Sequence, residues 1–150
     1  MGKGKFHALM TVVVLAALVV GGASLTGCSD SDNNSVPPEL LATWLLQLFS
    51  PDDGSAIQVA DPGNYTVRFQ SDEQASIKAD CNACGGRFFI DGDMLSFGTM
   101  ACTLAACPEG SFGTQYQMAL STASGYELTP QLLLDYDGGV MRFIPAPTLF

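Results

Sequence analysis

Apolar and polar residues alternate along several short segments of the chain, each bounded by residues typical of turns. Residues 65–69 (YTVRF) place three apolar side chains on one face of an extended strand and two polar side chains on the other. Residues 75–79 (ASIKA) repeat this alternation after a polar turn. The same criteria predict further short strands at 87–90, 94–97, 125–128, 132–136 and 140–144.

Two pairs of these strands are joined by turns that contain Asp-Gly. The turns are DGD at 91–93 and DGG at 137–139, each with a predicted strand on either side. Asp-Gly is typical of tight hairpins because glycine adopts a positive φ without steric cost. This dense succession of strands and turns predicts an α+β fold that is mainly antiparallel β. We expect a small β-barrel-like domain with one short α-helix.

One segment has helical periodicity instead. Residues 111–124 (SFGTQYQMALSTAS) predict a short amphipathic helix, with Ser111 as its N-cap, that closes an open end of the sheet. The apolar positions at helical spacing are Phe112, Tyr116, Ala119, Leu120 and Ala123. Residues 38–49 (PELLATWLLQLF) leave two options open, because they permit a helix that starts after Pro38 and also a buried strand.

The first 28 residues have the three parts of an export signal. Lys3 and Lys5 precede an apolar run at 8–20, which small residues follow. The signal ends in four residues that resemble the lipobox of bacterial lipoproteins: Leu25, Thr26, Gly27 and Cys28. We expect a signal peptide at 1–27, cleaved before Cys28, whose sulfur would carry lipid. The alternative is an uncleaved anchor, because 8–27 could just span a bilayer.

Cleavage would leave a tether and one domain. Residues 28–38 contain almost no large apolar side chain and end in two prolines, which is typical of a flexible tether. Residues 39–150 are long enough for one domain and too short for two. Several acyl chains on Cys28 would anchor the protein stably, with its domain in the periplasm. Ser29 follows Cys28 and, by similarity with enterobacterial sorting, favours the outer membrane over the inner.

The chain is acidic, with a net charge of −9 at pH 7. Cleavage would remove Lys3, Lys5 and the single histidine, His7, and leave four basic against 15 acidic residues, a net charge of −11. Such a surface argues against binding nucleic acid and against lying flat on anionic lipid, since both need Lys and Arg. The expected membrane contact is therefore the lipid on Cys28. A protein partner, including a basic one, stays open.

Four cysteines remain after Cys28: Cys81, Cys84, Cys102 and Cys107. An even number of cysteines in an exported chain predicts two disulfides, because the periplasm is oxidising. A zinc site with four cysteine ligands stays open, since the spacing C-x2-C-x17-C-x4-C resembles a zinc ribbon with a longer second loop. A redox dithiol would need the Cys-x-x-Cys at the start of a helix in a βαβ unit, whereas here it follows a predicted strand. Haem attachment is excluded because Gly85 stands where histidine is required.

Antiparallel geometry predicts how these cysteines pair. Residues paired along one antiparallel ladder have nearly constant sums of their residue numbers. The nested pairs Cys81–Cys107 and Cys84–Cys102 give sums of 188 and 186, whereas the crossed pairs give 183 and 191. Local pairing would constrain little of the fold. We therefore predict the nested disulfides, with the hairpin 87–97 enclosed between them.

Three segments near these cysteines are distinctive: DCN at 80–82, the Gly-Gly-aromatic step at 85–88, and AACP at 105–108. With the surrounding chain, from about Trp44 to Pro145, they resemble the META domain of the heat-shock HslJ-like bacterial lipoproteins. The resemblance implies a small β-rich barrel with a helix, and Trp44 in a strand. Simpler family members carry cysteines only at the positions of Cys81 and Cys107, which agrees with the outer disulfide. A frequent arginine of the family is Leu104 here.

No catalytic residue, metal site, cofactor or small-molecule substrate is predicted. A mature chain without histidine lacks Ser-His, Cys-His and most zinc-hydrolase arrangements. Its paired aspartates lie in turns, where they bond to the backbone. The resemblance implies envelope lipoproteins, some linked to stress or antibiotic tolerance.

We expect a non-catalytic envelope lipoprotein that binds a protein partner or supports the envelope under stress. Two alternatives stay open. One is an inhibitor-type module that binds a basic hydrolase such as lysozyme. The other is a zinc or thiol protein that uses the four cysteines.

Overall fold

The computed structural model describes residues 35–147. This part of the chain is mostly β, with one α-helix and single turns of 3-10 helix at Pro38–Leu40 and Pro62–Asn64. The elements are β1 (Thr43–Pro51), β2 (Ile57–Gln58), β3 (Tyr65–Phe69), β4 (Gln74–Ala79), β5 (Asn82–Asp91), β6 (Met94–Phe97), β7 (Ala101–Cys102), α1 (Gly113–Ser121), β8 (Ala123–Leu128), β9 (Leu132–Tyr136) and β10 (Gly139–Pro145).

The strands form one antiparallel sheet in the order β6-β5-β4-β3-β1-β10-β9-β8, with β2 added along β1 and β7 along β5. The two ends of this order meet, because the Tyr126 N–H of β8 donates to the carbonyl of Asp93, in the turn between β5 and β6, at 2.9 Å. The sheet is therefore nearly closed and barrel-shaped, which confirms the mainly antiparallel barrel expected from the sequence. The described residues contain a single α-helix, so the α+β class expected from the sequence is confirmed only in part.

Alternation along the strands places apolar side chains inside the barrel. The burial pattern of β3 is strict, with Tyr65, Val67 and Phe69 buried and the two residues between them more exposed. The helix adds Tyr116 and Leu120 to the same core, both fully buried. Among the described residues, every buried side chain in this core is apolar or aromatic. Burial of one strand face and one helix face is thus what joins the elements.

The predicted strands are all present, and three of them, at 65–69, 94–97 and 132–136, match to the residue. The strand predicted at 87–90 is longer, because β5 begins at Asn82 and pairs with β4 from there. The sequence predicted that the Cys-x-x-Cys lies between two strands, but the structure places its second half within β5. The motif begins in the two-residue turn between Ala79 and Asn82, where Asp80 has a φ of +61°, and continues into β5.

The helix prediction was too long at both ends. The N-cap position is Phe112, not Ser111, although the Ser111 hydroxyl still accepts the Gly113 N–H at 3.2 Å. At the other end, Ala123 belongs to β8 and pairs with Tyr136 of β9. The pairing with β9 determines the conformation of Ala123, because tertiary contacts override the local preference for a helix.

The ambiguous segment 38–49 contains both predicted states in turn. Pro38–Leu40 forms one helical turn, and β1 starts at Thr43, so Trp44 lies in a strand as the resemblance implied. The Trp44 indole N–H donates to the carbonyl of Leu40 at 3.1 Å and joins the two pieces. Within residues 35–147, no helix combines the length and the apolar character needed to cross a bilayer.

Candidate functional site

The predicted lipidation residues Leu25, Thr26, Gly27 and Cys28 lie outside the described residues. The four remaining cysteines lie close together where β5 starts. Cys84 of β5 and Cys102 of β7 are direct cross-strand partners, with Cα atoms 4.0 Å apart and their sulfur atoms bonded. Cys81 is bonded to Cys107, with Cα atoms 5.4 Å apart.

This is the nested pairing that the residue sums predict, and the ladder between β5 and β7 has the sum of 186. With four sulfur atoms in disulfides, this cluster has no thiolate to offer zinc. In the part of the chain that the structure describes, no three His, Cys, Asp or Glu side chains are grouped to hold a metal.

Asn82 fixes the segment that runs from Thr103 to Cys107. Its side-chain oxygen accepts the Ala105 N–H at 2.8 Å and the Thr103 hydroxyl at 2.9 Å. Its amide donates to the carbonyl of Ala105 at 3.0 Å. The side chain therefore satisfies a stretch of backbone outside any strand, next to the Cys81–Cys107 disulfide. This gives the DCN element at 80–82 a structural role, because Cys81 and Asn82 anchor the same loop.

Beyond Cys107 the chain forms one wall of a groove with a volume of about 360 Å³. This wall is residues 108–112, the opposite wall is residues 57–61, and Asn64 and Asp80 also line the groove. The rings of Tyr65 and Phe112 stack with their centroids 4.0 Å apart. The Phe112 N–H also donates to the Tyr65 hydroxyl at 3.4 Å. We call this feature the β2 groove.

The β2 groove is acidic. Three carboxylates line it, from Asp61, Asp80 and Glu109, and its lining includes no basic side chain among the described residues. Lys78 reaches one end, where its ammonium donates to Asn64 Oδ1 at 2.8 Å and to the carbonyl of Gly63 at 3.1 Å. The groove therefore combines aromatic surface with a negative potential that attracts positively charged groups.

A second depression, also of about 360 Å³, lies where α1 meets the ends of β1 and β9. It is mainly apolar and is lined in part by Phe49, Met118 and Tyr136. The Tyr136 hydroxyl is buried without a hydrogen-bond partner among the described residues. Burial, and then the nearby charges of Asp52 and Asp53, raise the pKa of Tyr136. The described side chains that line these two depressions include no histidine or cysteine.

The sequence does not predict the β2 groove. Its two walls are about 50 residues apart in the chain, and one of them contains a strand of only two residues, Ile57 and Gln58. The available signal was the short apolar–polar alternation at 57–59, which is too brief to separate a strand from a loop.

Three solved structures have a fold similar to that of this chain. A protein from Burkholderia xenovorans, determined by NMR, is 29% identical, with a TM-score of 0.55 over 73% of this chain and 86% of its own. A second NMR structure is 19% identical, with a TM-score of 0.56 over 73% of this chain and 95% of its own. A crystal structure of a DUF4847 family protein from Bacteroides vulgatus is 14% identical, with a TM-score of 0.50 over 71% and 94%.

The last two structures show likeness of fold alone, because their identity is low. No curated protein matches the chain. The model of the META domain family matches residues 39–148, which is almost all of the predicted domain. The match includes the disulfide cluster, the Asn82 loop and both walls of the β2 groove. The chain belongs to the META domain family.

Proposed function

We propose that the protein is a lipid-anchored lipoprotein of the bacterial cell envelope whose META domain is a non-catalytic, protein-binding module. The observation that carries the proposal is the disulfide cluster. Two disulfides among four cysteines are typical of proteins that fold in an oxidising compartment, and the predicted signal at 1–27 would deliver the chain there.

The lipid on Cys28 would hold the domain near the membrane without inserting it. A flexible tether of ten or so residues, 28–38, has an end-to-end distance of roughly 18 Å. The domain would then sample the periplasm close to the bilayer, and its net negative charge keeps it off anionic lipid. Ser29 favours the outer membrane, which would place partners of the inner leaflet and the cell wall within reach.

Binding without catalysis accounts best for the described surface. The single histidine of the chain, His7, lies in the segment that cleavage removes. The β2 groove offers carboxylates, main-chain groups and aromatic surface, which are typical of protein-binding surfaces. Support of the envelope under stress, which the family resemblance implies, would then work through the bound partner.

The charge favours a second candidate, an inhibitor that binds a basic cell-wall hydrolase such as lysozyme. The net charge of −11 expected after cleavage would speed association with a basic protein at low ionic strength. The purified protein should then protect cell walls from lysozyme at low salt and lose that protection at high salt. Unchanged wall hydrolysis at low salt would exclude this candidate and leave the general proposal standing.

Lipidation is tested with the full-length chain and its Cys28→Ser variant in a bacterial host fed a clickable palmitate analogue. The wild type should carry label and sediment with membranes, whereas the variant should be unlabelled. Label on the variant, or an unlabelled wild type in the membrane fraction, would contradict lipid anchoring at Cys28. Density-gradient separation of the two membranes then tests the expected outer-membrane location.

Protein binding is tested in the same cells by photo-cross-linking from a set of exposed positions on the lipidated chain. A specific partner should give discrete protein adducts from neighbouring positions and none from the opposite face. Cells that yield no protein adduct from any exposed position, with the chain present at normal abundance, would overturn the proposed function.

A further inference from the structure

The β2 groove occupies an unfilled strand position beside the sheet. Strands β3 and β2 lie end to end along the same edge of β1, since β3 pairs with Thr43–Leu45 and β2 with Leu48–Phe49. Strand β4 lies outside β3 and ends at Ala79, opposite Tyr65. Outside β2 the corresponding position is filled by no described strand. The groove lies there, with Asp80 at the point where β4 stops.

The main chain of this wall has a free edge that faces the groove. The Val59 N–H donates to the carbonyl of Gln47 in β1 at 3.0 Å. In an antiparallel ladder only alternate residues bond to a given neighbour, so the N–H and C=O groups of Gln58 and Ala60 turn the other way. Both residues line the groove. Unpaired edge groups of this kind are the template to which an extended peptide adds as a further strand.

The opposite wall is held in place without filling the gap. Its start follows Cys107, which is bonded to Cys81, and its end is fixed by the stacking of Phe112 on Tyr65. A wall tied at both ends keeps the groove open in the free protein, so a ligand would not have to organise it.

The three carboxylates decide which segment fits. Asp61, Asp80 and Glu109 line the same groove as the free edge, and an acidic or neutral strand would leave their charges unmatched. We propose that the β2 groove binds an extended, basic segment of a partner protein, which adds as a short strand to the free edge at Gln58 and Ala60. This inference rests on the protein-binding function proposed above and gives it a surface and a class of partner.

The geometry also sets the length and pattern of the segment. Residues 57–60 span roughly 13 Å at about 3.3 Å per residue, which matches four or five residues of ligand. Side chains of an extended ligand alternate, so lysine or arginine at every second position would meet the carboxylates. The residues between them would point to the other face of the added strand, where valine favours the extended conformation.

The test uses the full-length lipidated chain in detergent and fluorescent pentapeptides. The peptide Lys-Val-Lys-Val-Lys should raise the fluorescence anisotropy on binding, whereas Glu-Val-Glu-Val-Glu should not. N-methylation of the two amides that would face β2 should weaken binding about tenfold or more, as expected for the loss of main-chain hydrogen bonds. Equal binding of the methylated and unmethylated peptides would exclude strand addition.

Matched triple variants separate the groove from overall charge. Asp61→Asn with Asp80→Asn and Glu109→Gln should weaken binding of Lys-Val-Lys-Val-Lys about tenfold. The control, Asp91→Asn with Glu127→Gln and Asp137→Asn, removes the same charge from exposed sites outside the groove. It should change binding less than about threefold, because distant exposed charges are screened. Equal losses in the two variants would reduce the effect to net charge and overturn the inference.

A benzophenone version of the basic peptide locates the site. Its adducts should map to residues 57–61 or 108–112, and adducts confined to other surfaces would overturn the inference. In cells, a photo-cross-linker placed at Ile57 or Glu109 should give a protein adduct. If adducts form from other positions but from neither of these, binding in the β2 groove is refuted and the protein-binding function stands. The absence of any protein adduct would refute the function itself. Circular dichroism of each variant confirms that a loss of binding is not a loss of fold.

Discussion

Cys84 and Cys102 face each other directly across β5 and β7, and their Cα atoms are 4.0 Å apart. Three residues before Cys84, Cys81 is bonded to Cys107, so two disulfides join the start of β5 to the segment that precedes α1. The hairpin of β5 and β6 lies between the inner pair in the sequence. The cluster therefore ties two parts of the chain that the sheet alone connects only through the short β7.

The first prediction concerns the oxidation state of these cysteines. Residues 29–150, exported with a periplasmic signal and purified without reductant, should be four hydrogens lighter than their reduced form and should take no thiol-alkylating label. Intact-mass spectrometry with and without alkylation measures both. Labelled thiols or bound zinc in the exported protein would contradict the disulfides and revive the zinc or thiol alternative.

The second prediction concerns the outer disulfide. The double variant Cys81→Ala with Cys107→Ala should lower the free energy of unfolding by about 2–3 kcal/mol. Without this disulfide the unfolded chain is no longer closed into a loop, so its conformational entropy is higher. Urea unfolding of the variant and the wild type measures the change. Asn82 would still hold Ala105, so the folded structure should survive. A loss below about 0.5 kcal/mol, which is the range of ordinary surface substitutions, would show that the disulfide adds little beyond those hydrogen bonds.

The third prediction follows from a buried hydroxyl. Tyr116 is fully buried in the barrel core, and its hydroxyl has no hydrogen-bond partner among the described residues. Tyr116→Phe keeps the ring and removes this group, so it should raise the free energy of unfolding by about 1 kcal/mol. The matched control is Tyr65→Phe, which deletes the hydroxyl that accepts the Phe112 N–H and should lower stability by about 1 kcal/mol. A destabilised Tyr116→Phe would show that the hydroxyl has a partner in solution, such as a buried water.

The fourth prediction is a loss of stability in alkali. Burial raises the pKa of Tyr116 well above the ordinary value of 10.0, and burial together with the charge of Asp93 raises the pKa of Tyr126. The pKa of Tyr136 is raised as well. Because these pKa values are higher in the folded state, the unfolded chain releases its protons first as the pH rises. The stabilisation is therefore complete below about pH 10 and is lost above it.

Urea midpoints measured from neutral pH upwards should show a plateau and then a fall above about pH 10. Tyr116→Phe should make the fall shallower, since it removes the most strongly shifted group. The tyrosinate absorbance of the folded protein provides the control. If Tyr116, Tyr126 and Tyr136 ionised near pH 10 while the protein stayed folded, the predicted shifts would be wrong.

The sequence predicts the parts of this fold that follow from local alternation. Strands β3, β6 and β9 match to the residue because one face of each is buried and the turns beside them are distinctive. The nested disulfides could also be predicted, since the antiparallel register restricts the pairing. Strands β2 and β7 could not, because each has two residues and exists only through pairing with β1 or β5.

The candidate site depends on the same long-range register, so the sequence could not reveal it. Its walls, 57–61 and 108–112, meet because β4 ends at Ala79 while β1 continues to Pro51. The local pattern of apolar and polar residues does not predict where one strand ends relative to its neighbour in the sheet. The excess length of the predicted helix has a similar origin, since Ala123 favours a helix locally and belongs to β8 through its pairing with Tyr136.

The fifth prediction separates two glycines that the sequence presents alike. Both lie in predicted hairpin turns that contain Asp-Gly, yet Gly92 has a φ of +61° with open space around it, whereas Gly139 has a φ of +154° and is buried against β1. A Cβ at Gly139 would overlap the carbonyl oxygen of Ser50 and lie 2.8 Å from Pro51 Cα. Backbone of the paired strand cannot move aside as a flexible side chain would.

Gly139→Ala should therefore lower the free energy of unfolding by about 3 kcal/mol, at the upper end of typical substitutions. Gly92→Ala should cost about 1 kcal/mol, the strain of a side chain at positive φ alone. Urea unfolding of both variants, compared at equal slope, measures the difference. If the two changes cost the same, the close approach of β10 to β1 at Pro51 would not be present in solution, and the register of these two strands would have to shift.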